Sequence, residues 1–296
     1  MTSRTGPQRS PHSSSGPVVI LGRGFLGEAL SRRITTGGRS TVLLGRTQIL
    51  DGELGRDSSQ ADVLVSAFGI AVPAFYEGLE SVDQLVTEAA ESLSRFSDLT
   101  QATRILHVSS GGAVYGEVAE GYFAQEKDSL IPKSKYGEYH AKLEDKLLSS
   151  DLSSRLVVAR LTNPYGPDQP LRRGQGLIAH VIRSVRDDEP LRVFGNATRD
   201  YVHIDDVAAG MWNLAESEIT GPINVGSGGE SSTTEVIDLV ARTLNKTPTL
   251  LLAGRRPFDV QRSAVNVSAF SEWLARSPQQ IDEGIPPLLT LGMSDR

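Results

Sequence analysis

The chain has 296 residues, of which 39% are apolar and 22% charged, so its composition is that of an ordinary globular protein. The formal net charge is −6 and no run of lysine or arginine stands out, which argues against nucleic acid or an anionic membrane as a main partner. There is no cysteine, so disulfide bonds, thiolate nucleophiles and cysteine-ligated metals are excluded.

The sequence contains no signal for a membrane or for export. No apolar run approaches the roughly 20 residues that a membrane helix needs. Residues 1–16 are mainly serine, arginine, glycine and proline without an apolar core, which predicts a disordered tail rather than a signal peptide. We therefore expect a cytoplasmic protein.

The first half of the chain alternates between short apolar runs, typical of buried parallel strands, and longer segments with apolar residues at helical spacing. The predicted strands are 18–21, 41–44, 61–67, 104–108 and 155–160. The predicted helices are one through Ala29, Leu30 and Ile34, then 79–96 and 135–148. Only a short polar link joins the second and third strands, so we expect the strand–helix unit between them to be shortened. The alternation predicts an α/β fold, a Rossmann doubly wound parallel sheet.

Prolines and glycines become frequent near residue 163, and the predicted elements that follow are shorter. They are predicted helices at 177–186, 207–214 and 234–244, and strands at 191–194 and 223–225. We interpret them as a smaller C-terminal substrate-binding lobe. The expected boundaries are 17–165 for the dinucleotide-binding domain, with a return contribution from about 196–216, and 166–195 plus 217–296 for the lobe.

Residues 22–27 have the pattern G-x-G-x-x-G between a predicted strand and a predicted helix, which is typical of a dinucleotide-binding turn. Its first glycine allows a tight turn, its second lets the backbone approach a pyrophosphate, and its third lets the helix pack on the strand. Free N–H groups at the helix N-terminus then face the anion. The predicted cofactor contacts here are Gly22, Arg23, Gly24, Phe25, Leu26 and Gly27.

The end of the second strand bears on the choice between NADP and NAD. NAD enzymes place an aspartate or glutamate there to bind the adenosine ribose, whereas this chain has Arg46 and no carboxylate. Arg46 could pair with a 2′-phosphate, which favours NADP; the alternative is a solvated surface arginine. Ala67, at the end of the third strand, is a further predicted cofactor contact.

Five blocks of sequence carry a family resemblance. They are 108–116 (VSSGGAVYG), 160–167 (RLTNPYGP), 199–207 (RDYVHIDDV), 224–228 (NVGSG) and 256–260 (RPFDV). In this order they resemble the extended short-chain dehydrogenase/reductases of the NAD(P)-dependent epimerase/dehydratase family, the UDP-galactose 4-epimerase-like nucleotide-sugar enzymes. The resemblance implies a nicotinamide cofactor and a nucleotide-sugar substrate bound by Asn163, Arg199, Arg256 and Asp259. Two arginines can clamp a diphosphate, although surface ion pairs are the alternative.

The family uses a Tyr-x-x-x-Lys pair on a helix, and here Tyr136 takes the tyrosine position while His140 takes the lysine position. A free tyrosine has a pKa of about 10, so it needs a nearby cation to act near neutrality. Lys142 cannot replace that cation, because two residues turn a helix by about 200°. His140 could bind the nicotinamide ribose or become charged. The resemblance therefore implies Tyr136 and His140 as catalytic residues.

The family's catalytic serine or threonine position holds Gly111, and Ser110 is one residue away. Ser110 could contact the substrate and act in catalysis through a shifted loop; the alternative is a hydroxyl that caps a loop. His107 lies in a predicted buried strand and is interpreted as structural. His203 and the aspartates that follow it have poor spacing for a metal site, so no metal is predicted.

Three functions follow from the resemblance. The first is an NAD(P)-dependent nucleotide-sugar 4-epimerase in which Tyr136 acts as acid and base. The second is an NADPH-dependent nucleotide-4-ketosugar reductase, which Arg46 favours. The third is a catalytically degenerate homologue that binds cofactor or sugar nucleotide without turnover, which His140 and Gly111 suggest. The helices at 79–96 and 135–148 resemble the pair that forms the dimer interface in relatives, so we also expect a homodimer.

Overall fold

The computed structural model describes residues 16–52, 54, 60–68, 73–170, 176–274 and 276–290. The predicted tail at 1–16 lies outside these residues except for Gly16. The strands, in chain order, are β1 (Val18–Leu21), β2 (Thr41–Leu44), β3 (Val63–Ser66), β4 (Arg104–Ser110), β5 (Leu156–Leu161), β6 (Asn163–Tyr165), β7 (Leu191–Phe194), β8 (Thr198–Arg199), β9 (Tyr201–His203), β10 (Gly221–Val225), β11 (Ser231–Ser232), β12 (Leu250–Ala253) and β13 (Arg262–Ser263).

The helices are α1 (Phe25–Thr36), α2 (Arg46–Asp51), α3 (Pro73–Tyr76), α4 (Asp83–Thr100), α5 (Lys135–Leu148), α6 (Leu177–Arg186), α7 (Ile204–Ala215), α8 (Thr233–Leu244), α9 (Ser268–Leu274) and α10 (Ile281–Thr290). A 3₁₀ turn at Asp151–Arg155 leads into β5. Across the described part of the chain, no helix combines the length and apolarity needed to cross a membrane.

A six-stranded sheet in the order β10-β5-β4-β3-β1-β2 forms the centre of the molecule, and its paired strands are parallel. Strands β1, β3 and β5 are buried along their whole length, as their mainly apolar sequences predict. One apolar core joins one sheet face to α1, α7 and α9, and another joins the opposite face to α4 and α5. The predicted α/β class and the doubly wound parallel sheet are therefore confirmed.

The sheet ends at β2 because the connection between β2 and β3 is short. In the described part of that connection the only helix is α2, and β3 returns directly to pair with β1 on the side opposite β2. The trimmed strand–helix unit expected from the sequence is thus visible. The reversal of strand order between β1 and β3 opens a crevice at the carboxyl ends of these strands, where doubly wound sheets bind ligands.

The second half of the chain divides differently from the predicted boundaries. Helices α6, α8 and α10 share their own apolar core with β7 and β9. Strand β10, however, pairs with β5 in the central sheet, and α9 contributes Phe270 and Leu274 to the core on that sheet. Assigning all of 217–296 to the substrate lobe was therefore wrong for 221–225 and 268–274, because short apolar elements do not reveal which core they join.

The homodimer is expected partly because α4 has an apolar face, and in the structure that face packs within the same chain. Val86, Leu93 and Phe96 are buried in the core beside the sheet. The exposed positions of α4 include Glu88 and Glu91 and are mostly polar. The apolar periodicity of this helix is thus explained by packing inside one chain, and the homodimer stays a prediction.

Candidate functional site

Predicted site residues from four strands lie at one edge of the central sheet. The glycine turn (residues 22–27) follows β1, Ala67 follows β3, Ser110 is the last residue of β4, and Asn163 lies two residues after β5. Because these strands are parallel and adjacent, their carboxyl ends lie side by side. The crevice at this edge is the candidate functional site.

The glycine turn is shaped so that two of its glycines cannot be replaced and the third leaves space. Gly22 has a φ of 123°, and a Cβ on it would lie 2.5 Å from the carbonyl oxygen of Ala67. A Cβ on Gly27 would lie 1.9 Å from the carbonyl oxygen of Gly22. A Cβ on Gly24 would meet no atom within 4 Å from the other described residues, its chain neighbours apart. Packing does not explain the absence of a side chain at Gly24, so the open space there suits a bound group.

Gly24 is also the N-cap residue of α1, and no side chain caps that helix. A 12-residue helix with uncapped N–H groups beside an open space fits the pyrophosphate of a dinucleotide. The glycine turn therefore fits the cofactor that the sequence predicts.

The other predicted cofactor contacts lie around this turn. The backbone N–H of Gly22 donates to Leu44 at 2.9 Å, which fixes the end of β2 beside the turn, and Arg46 follows it as an exposed first residue of α2. The N–H of Ala67 donates to Leu21 at 2.9 Å on the other side. Arg23 is exposed, while Phe25 and Leu26 are half-buried against the core.

Helix α5 carries the predicted catalytic pair. Its N-cap residue is Ser134, whose hydroxyl accepts a hydrogen bond from the N–H of Gly137 at 3.0 Å. One helical turn brings Tyr136 and His140 into contact, with ring centroids 4.6 Å apart and the rings edge to face. Tyr76 of α3 packs against Tyr136 from the other side at 5.4 Å. The two predicted residues are therefore held together by aromatic packing.

Among the described residues, no positive charge lowers the pKa of Tyr136. Burial raises the pKa of its hydroxyl, and a hydrogen bond with Ser110 opposes the rise only in part. Burial also lowers the pKa of His140 to about 3, so this imidazole is neutral at physiological pH. Lys142 lies on the outside of α5, where its ammonium binds Asp83 at 2.7 Å and Glu138 at 2.9 Å.

The hydroxyl beside Tyr136 comes from Ser110 because position 111 has no room for one. A Cβ on Gly111 would lie 2.5 Å from the carbonyl oxygen of Arg160. The N–H of Gly111 donates to Leu161 at 2.8 Å, which holds the backbone in that close approach. The structure thus brings Ser110, Tyr136 and His140 together, through the hydrogen bond between Ser110 and Tyr136 and the ring contact between Tyr136 and His140.

A buried ion pair that the sequence analysis overlooked supports this arrangement. The guanidinium of Arg160 on β5 donates to the Glu144 carboxylate through Nε at 2.9 Å and Nη2 at 2.7 Å. Ser109 donates to the same carboxylate, and Arg160 also donates to the Tyr115 hydroxyl at 2.8 Å. Tyr115 in turn donates to Asn224 at 2.7 Å. The network fixes α5 against β4, β5 and β10; the charged residues within apolar surroundings were the signal for it.

Two of the predicted substrate contacts are occupied by the protein itself. The side-chain amide of Asn163 donates to the carbonyl oxygen of Asp200 at 2.8 Å. The guanidinium of Arg199 donates to the carbonyl oxygens of Val260 at 2.6 Å and Thr198 at 2.9 Å. Arg199 therefore fastens the 260 segment and is not a free half of a diphosphate clamp. The sequence does not reveal these roles, because the carbonyl oxygens of Asp200 and Val260 lie 37 residues from Asn163 and 61 residues from Arg199.

Arg256 and Asp259 lie together on one turn, in which the N–H of Asp259 donates to the carbonyl oxygen of Arg256 at 3.1 Å. Arg256 is exposed, and its guanidinium lies 4.1 Å from the ring centroid of Phe194. Stacking on an aromatic face orients the guanidinium while leaving its edge for an anion. Arg256 is thus the better placed of the two predicted arginines to bind a phosphate.

His203 and its neighbouring aspartates have structural partners. The His203 ring accepts from the N–H of Asp205 at 3.3 Å and caps α7. Asp206 is buried, pairs with Arg276 and accepts from the N–H of Gln279 at 2.7 Å. Within the described ranges, no group of three or more histidine, aspartate or glutamate residues could hold a metal ion.

Comparison with known proteins identifies relatives of this chain. The NAD dependent epimerase/dehydratase family matches residues 18–226. The dTDP-4-dehydro-6-deoxyglucose reductase of Escherichia coli is 31% identical over 148 residues, which cover 48% of this chain and 46% of that protein. The UDP-glucose 4-epimerase of Mycolicibacterium smegmatis is 29% identical over 203 residues, covering 65% of this chain and 63% of that protein. The matches thus span less than two thirds of these relatives' length.

The fold also has close counterparts among solved structures. The UDP-glucose 4-epimerase of Thermus thermophilus, solved in complex with NAD, superposes with a TM-score of 0.80 at 24% sequence identity. The superposition covers 93% of this chain and 98% of the epimerase. At this identity the likeness establishes the fold, which is the predicted Rossmann architecture.

Proposed function

The chain belongs to the NAD dependent epimerase/dehydratase family, and we propose that it is a nucleotide-sugar oxidoreductase, in the first place a 4-epimerase. The observation that carries the proposal is the contact of Ser110, Tyr136 and His140 at the crevice that also holds the glycine turn. Fold alone would not specify a reaction. The 4-epimerases among the relatives and the solved structures support the reaction class.

In this mechanism the chain binds, orients and exchanges a proton. The glycine turn and the N-terminus of α1 would hold the pyrophosphate, and His140 would bind the nicotinamide ribose. A nicotinamide cofactor bound there would supply the hydride chemistry, as acceptor in the first half of the reaction and as donor in the second. Tyr136 removes the proton of the sugar 4-hydroxyl and later restores one, while Ser110 orients the Tyr136 oxygen. Arg256, oriented by Phe194, would bind the diphosphate of the substrate.

A 4-ketosugar reductase is the second candidate, and the neutral surroundings of Tyr136 favour it. An epimerase must first deprotonate a hydroxyl, which requires the tyrosinate form of Tyr136. A reductase needs only a protonated tyrosine that donates to the oxygen of the reduced ketone. Because burial raises the pKa of Tyr136 and His140 is neutral, the protonated form is the resting form. The dTDP-4-dehydro-6-deoxyglucose reductase relative agrees with this reaction.

One experiment separates the candidates. Purified protein is denatured, and the released nucleotide is identified by mass spectrometry. The apoprotein or holoprotein is then assayed for interconversion of UDP-glucose and UDP-galactose, and for NADPH consumption with a nucleotide-4-ketosugar. A retained dinucleotide with interconversion supports the epimerase, whereas an empty protein that consumes NADPH supports the reductase. Cofactor binding without either turnover would leave a binding protein and refute both.

Tyr136→Phe and Tyr139→Phe form a matched pair on the same helix. The first variant should abolish turnover while keeping cofactor binding, because only the proton-transferring hydroxyl is lost. The second should keep turnover, since the Tyr139 ring lies in the core. Unchanged turnover in Tyr136→Phe would rule out the proposed mechanism.

We propose NADP as the preferred cofactor because Arg46 is exposed beside the glycine turn and no carboxylate occupies the end of β2. A charge-assisted bond to the 2′-phosphate is worth about 1.5–3 kcal/mol, or roughly 10- to 150-fold in affinity. Arg46→Ala should remove that preference. The control is Arg33→Ala, which should keep it, because Arg33 is exposed in the last turn of α1, at the end away from the glycine turn. Equal Kd values for NADPH and NADH in the unaltered protein would refute the preference.

The homodimer also belongs to the proposal, since α4 and α5 resemble the helix pair that associates in relatives. The polar outer surface of α4 limits what such an interface could bury. Light scattering behind size-exclusion chromatography tests it, and a monomer at micromolar concentration would refute it.

A further inference from the structure

Arg192, which no sequence motif singled out, lies beside Arg256 on the same aromatic ring. The central carbon of the Arg256 guanidinium is 4.1 Å from the centroid of the Phe194 ring, and that of Arg192 is 5.2 Å from it. Both distances lie within the roughly 6 Å over which a cation interacts with an aromatic face. One ring therefore orients two guanidiniums.

The side-chain pattern of β7 explains this placement. Leu191 and Val193 pack in the core of the C-terminal lobe. Because side chains alternate along a strand, Arg192 and Phe194 point together to the opposite face. Strand β12 pairs with β7 in parallel, and Ala253, its last residue, is the register partner of Phe194. The chain that leaves β12 therefore starts beside this ring.

Within the described ranges, no carboxylate neutralises the two arginines. Both are exposed and neither forms an ion pair there, not even with Asp259 on the same turn as Arg256. A third exposed arginine lies over the end of β7, since a Cβ on Gly195 would lie 3.0 Å from the Cγ of Arg255. On a chain with a net charge of −6, such a local concentration of positive charge suits an anionic ligand.

The segment that follows these arginines reaches the crevice. The N–H of Arg262 donates to the Glu117 carboxylate at 2.8 Å. The next residue, Ser263, approaches the loop after β4, because a Cβ on Gly112 would lie 3.9 Å from its hydroxyl oxygen. Gly112 is two residues after Ser110, so this segment connects the arginines to the proposed site.

Arg199, the other arginine that the family resemblance offers for a diphosphate, has its donors engaged. Its guanidinium donates to three carbonyl oxygens, which belong to Val260 at 2.6 Å, Thr198 at 2.9 Å and Gln261 at 3.3 Å. A diphosphate bound by Arg256 therefore needs its second cation from another residue.

We propose that Arg192 is that residue, and that Arg192 and Arg256 form a clamp in which each guanidinium donates to one phosphate of the substrate. The Phe194 ring orients both guanidiniums before the substrate binds, which lowers the entropic cost of binding. The two ring distances limit the separation of the guanidinium carbons to about 9 Å, and a diphosphate with a hydrogen bond of about 2.9 Å on each side spans such a gap. The inference rests on the proposed function, since a nucleotide sugar supplies the diphosphate.

Isothermal titration of the full chain with UDP and with NADPH tests the clamp. In Arg192→Ala the Kd for UDP should rise about tenfold or more, the effect of losing one charge-assisted hydrogen bond. The Kd for NADPH should be unchanged, because the cofactor's pyrophosphate is proposed to bind at the glycine turn. Arg192→Met keeps most of the aliphatic stem and should show the same loss. Arg242→Ala, at an exposed arginine in the last turn of α8, should change neither Kd.

The outcomes separate this inference from the proposed function. An unchanged Kd for UDP in Arg192→Ala would overturn the clamp and leave the proposed function in place. A wild-type protein that binds NADPH but not UDP would overturn the nucleotide-sugar function and the clamp with it. An equal loss of affinity for both ligands would assign Arg192 a structural role and also overturn the clamp. Should Arg192→Ala fail to fold, Arg192→Met decides.

Discussion

Replacing Gly24 and Gly27 by alanine should separate cofactor binding from folding. The two glycines are three residues apart in the same turn, yet their surroundings are opposite. A Cβ on Gly27 would lie 1.9 Å from the carbonyl oxygen of Gly22, whereas a Cβ on Gly24 would have only its chain neighbours within 4 Å in the part of the chain that the structure describes. Gly24 has extended backbone dihedrals, with φ −125° and ψ −172°, which alanine also adopts.

The magnitudes follow from these contacts. Gly27→Ala forces α1 away from β1, and overpacking of this kind costs about 3 kcal/mol, the upper part of its usual range. In a chain of this size that lowers Tm by about 6–12 °C. Gly24→Ala has two small and opposite effects on the free energy of unfolding. Alanine is a poorer N-cap residue than glycine, but it lowers the entropy of the unfolded chain, so Tm should stay within about 4 °C of the wild-type value. Its Cβ fills the space proposed for the pyrophosphate, so dinucleotide affinity should fall by about tenfold or more.

Differential scanning fluorimetry gives Tm for both variants, and isothermal titration with NADPH and NADH gives Kd. The expected pattern is a folded Gly24→Ala that binds dinucleotide weakly and a Gly27→Ala that unfolds early. Wild-type affinity in Gly24→Ala would show that the open space does not receive the cofactor. Equal destabilisation of both variants would refute the steric reasoning.

Three further predictions concern α5. Glu144→Gln should lower the free energy of unfolding by about 3–5 kcal/mol in urea titration, because Arg160 keeps a buried charge; the control Glu138→Gln, at a partly exposed surface ion pair, should change it by less than about 1 kcal/mol. His140→Lys should shift the rate–pH profile to lower pH, because a cation stabilises the tyrosinate of Tyr136; an unmoved profile would contradict the role of that position. The pKa of His140 falls to about 3 on folding, so the unfolded chain binds the extra proton below about pH 6.5. Relative to His140→Asn, wild-type stability should therefore be retained above that pH and lost toward pH 3, by about 1.4 kcal/mol per pH unit; a constant difference would show that His140 titrates normally.

Local pattern alone determined most of the elements and the class of fold. The four apolar residues of β1, the glycine turn and the periodicity of α5 are signals within a few neighbouring residues, and they were identified with nearly the observed bounds. The roles of Tyr136 and His140, by contrast, are implied by the family resemblance and remain predictions. The elements themselves need no such resemblance. These features depend on backbone geometry and on spacing along one helix.

Only the tertiary structure decided what depends on partners far along the chain. It placed β10 in the central sheet, bound the Arg199 guanidinium to the carbonyl oxygen of Val260, 61 residues away, and showed that the carbonyl oxygen of Arg160 excludes a side chain at Gly111. It also made His140 neutral, since burial and not residue type sets the charge of an imidazole. Composition and periodicity record which residues avoid water, but desolvation and hydrogen-bond partners are fixed only when the chain has folded.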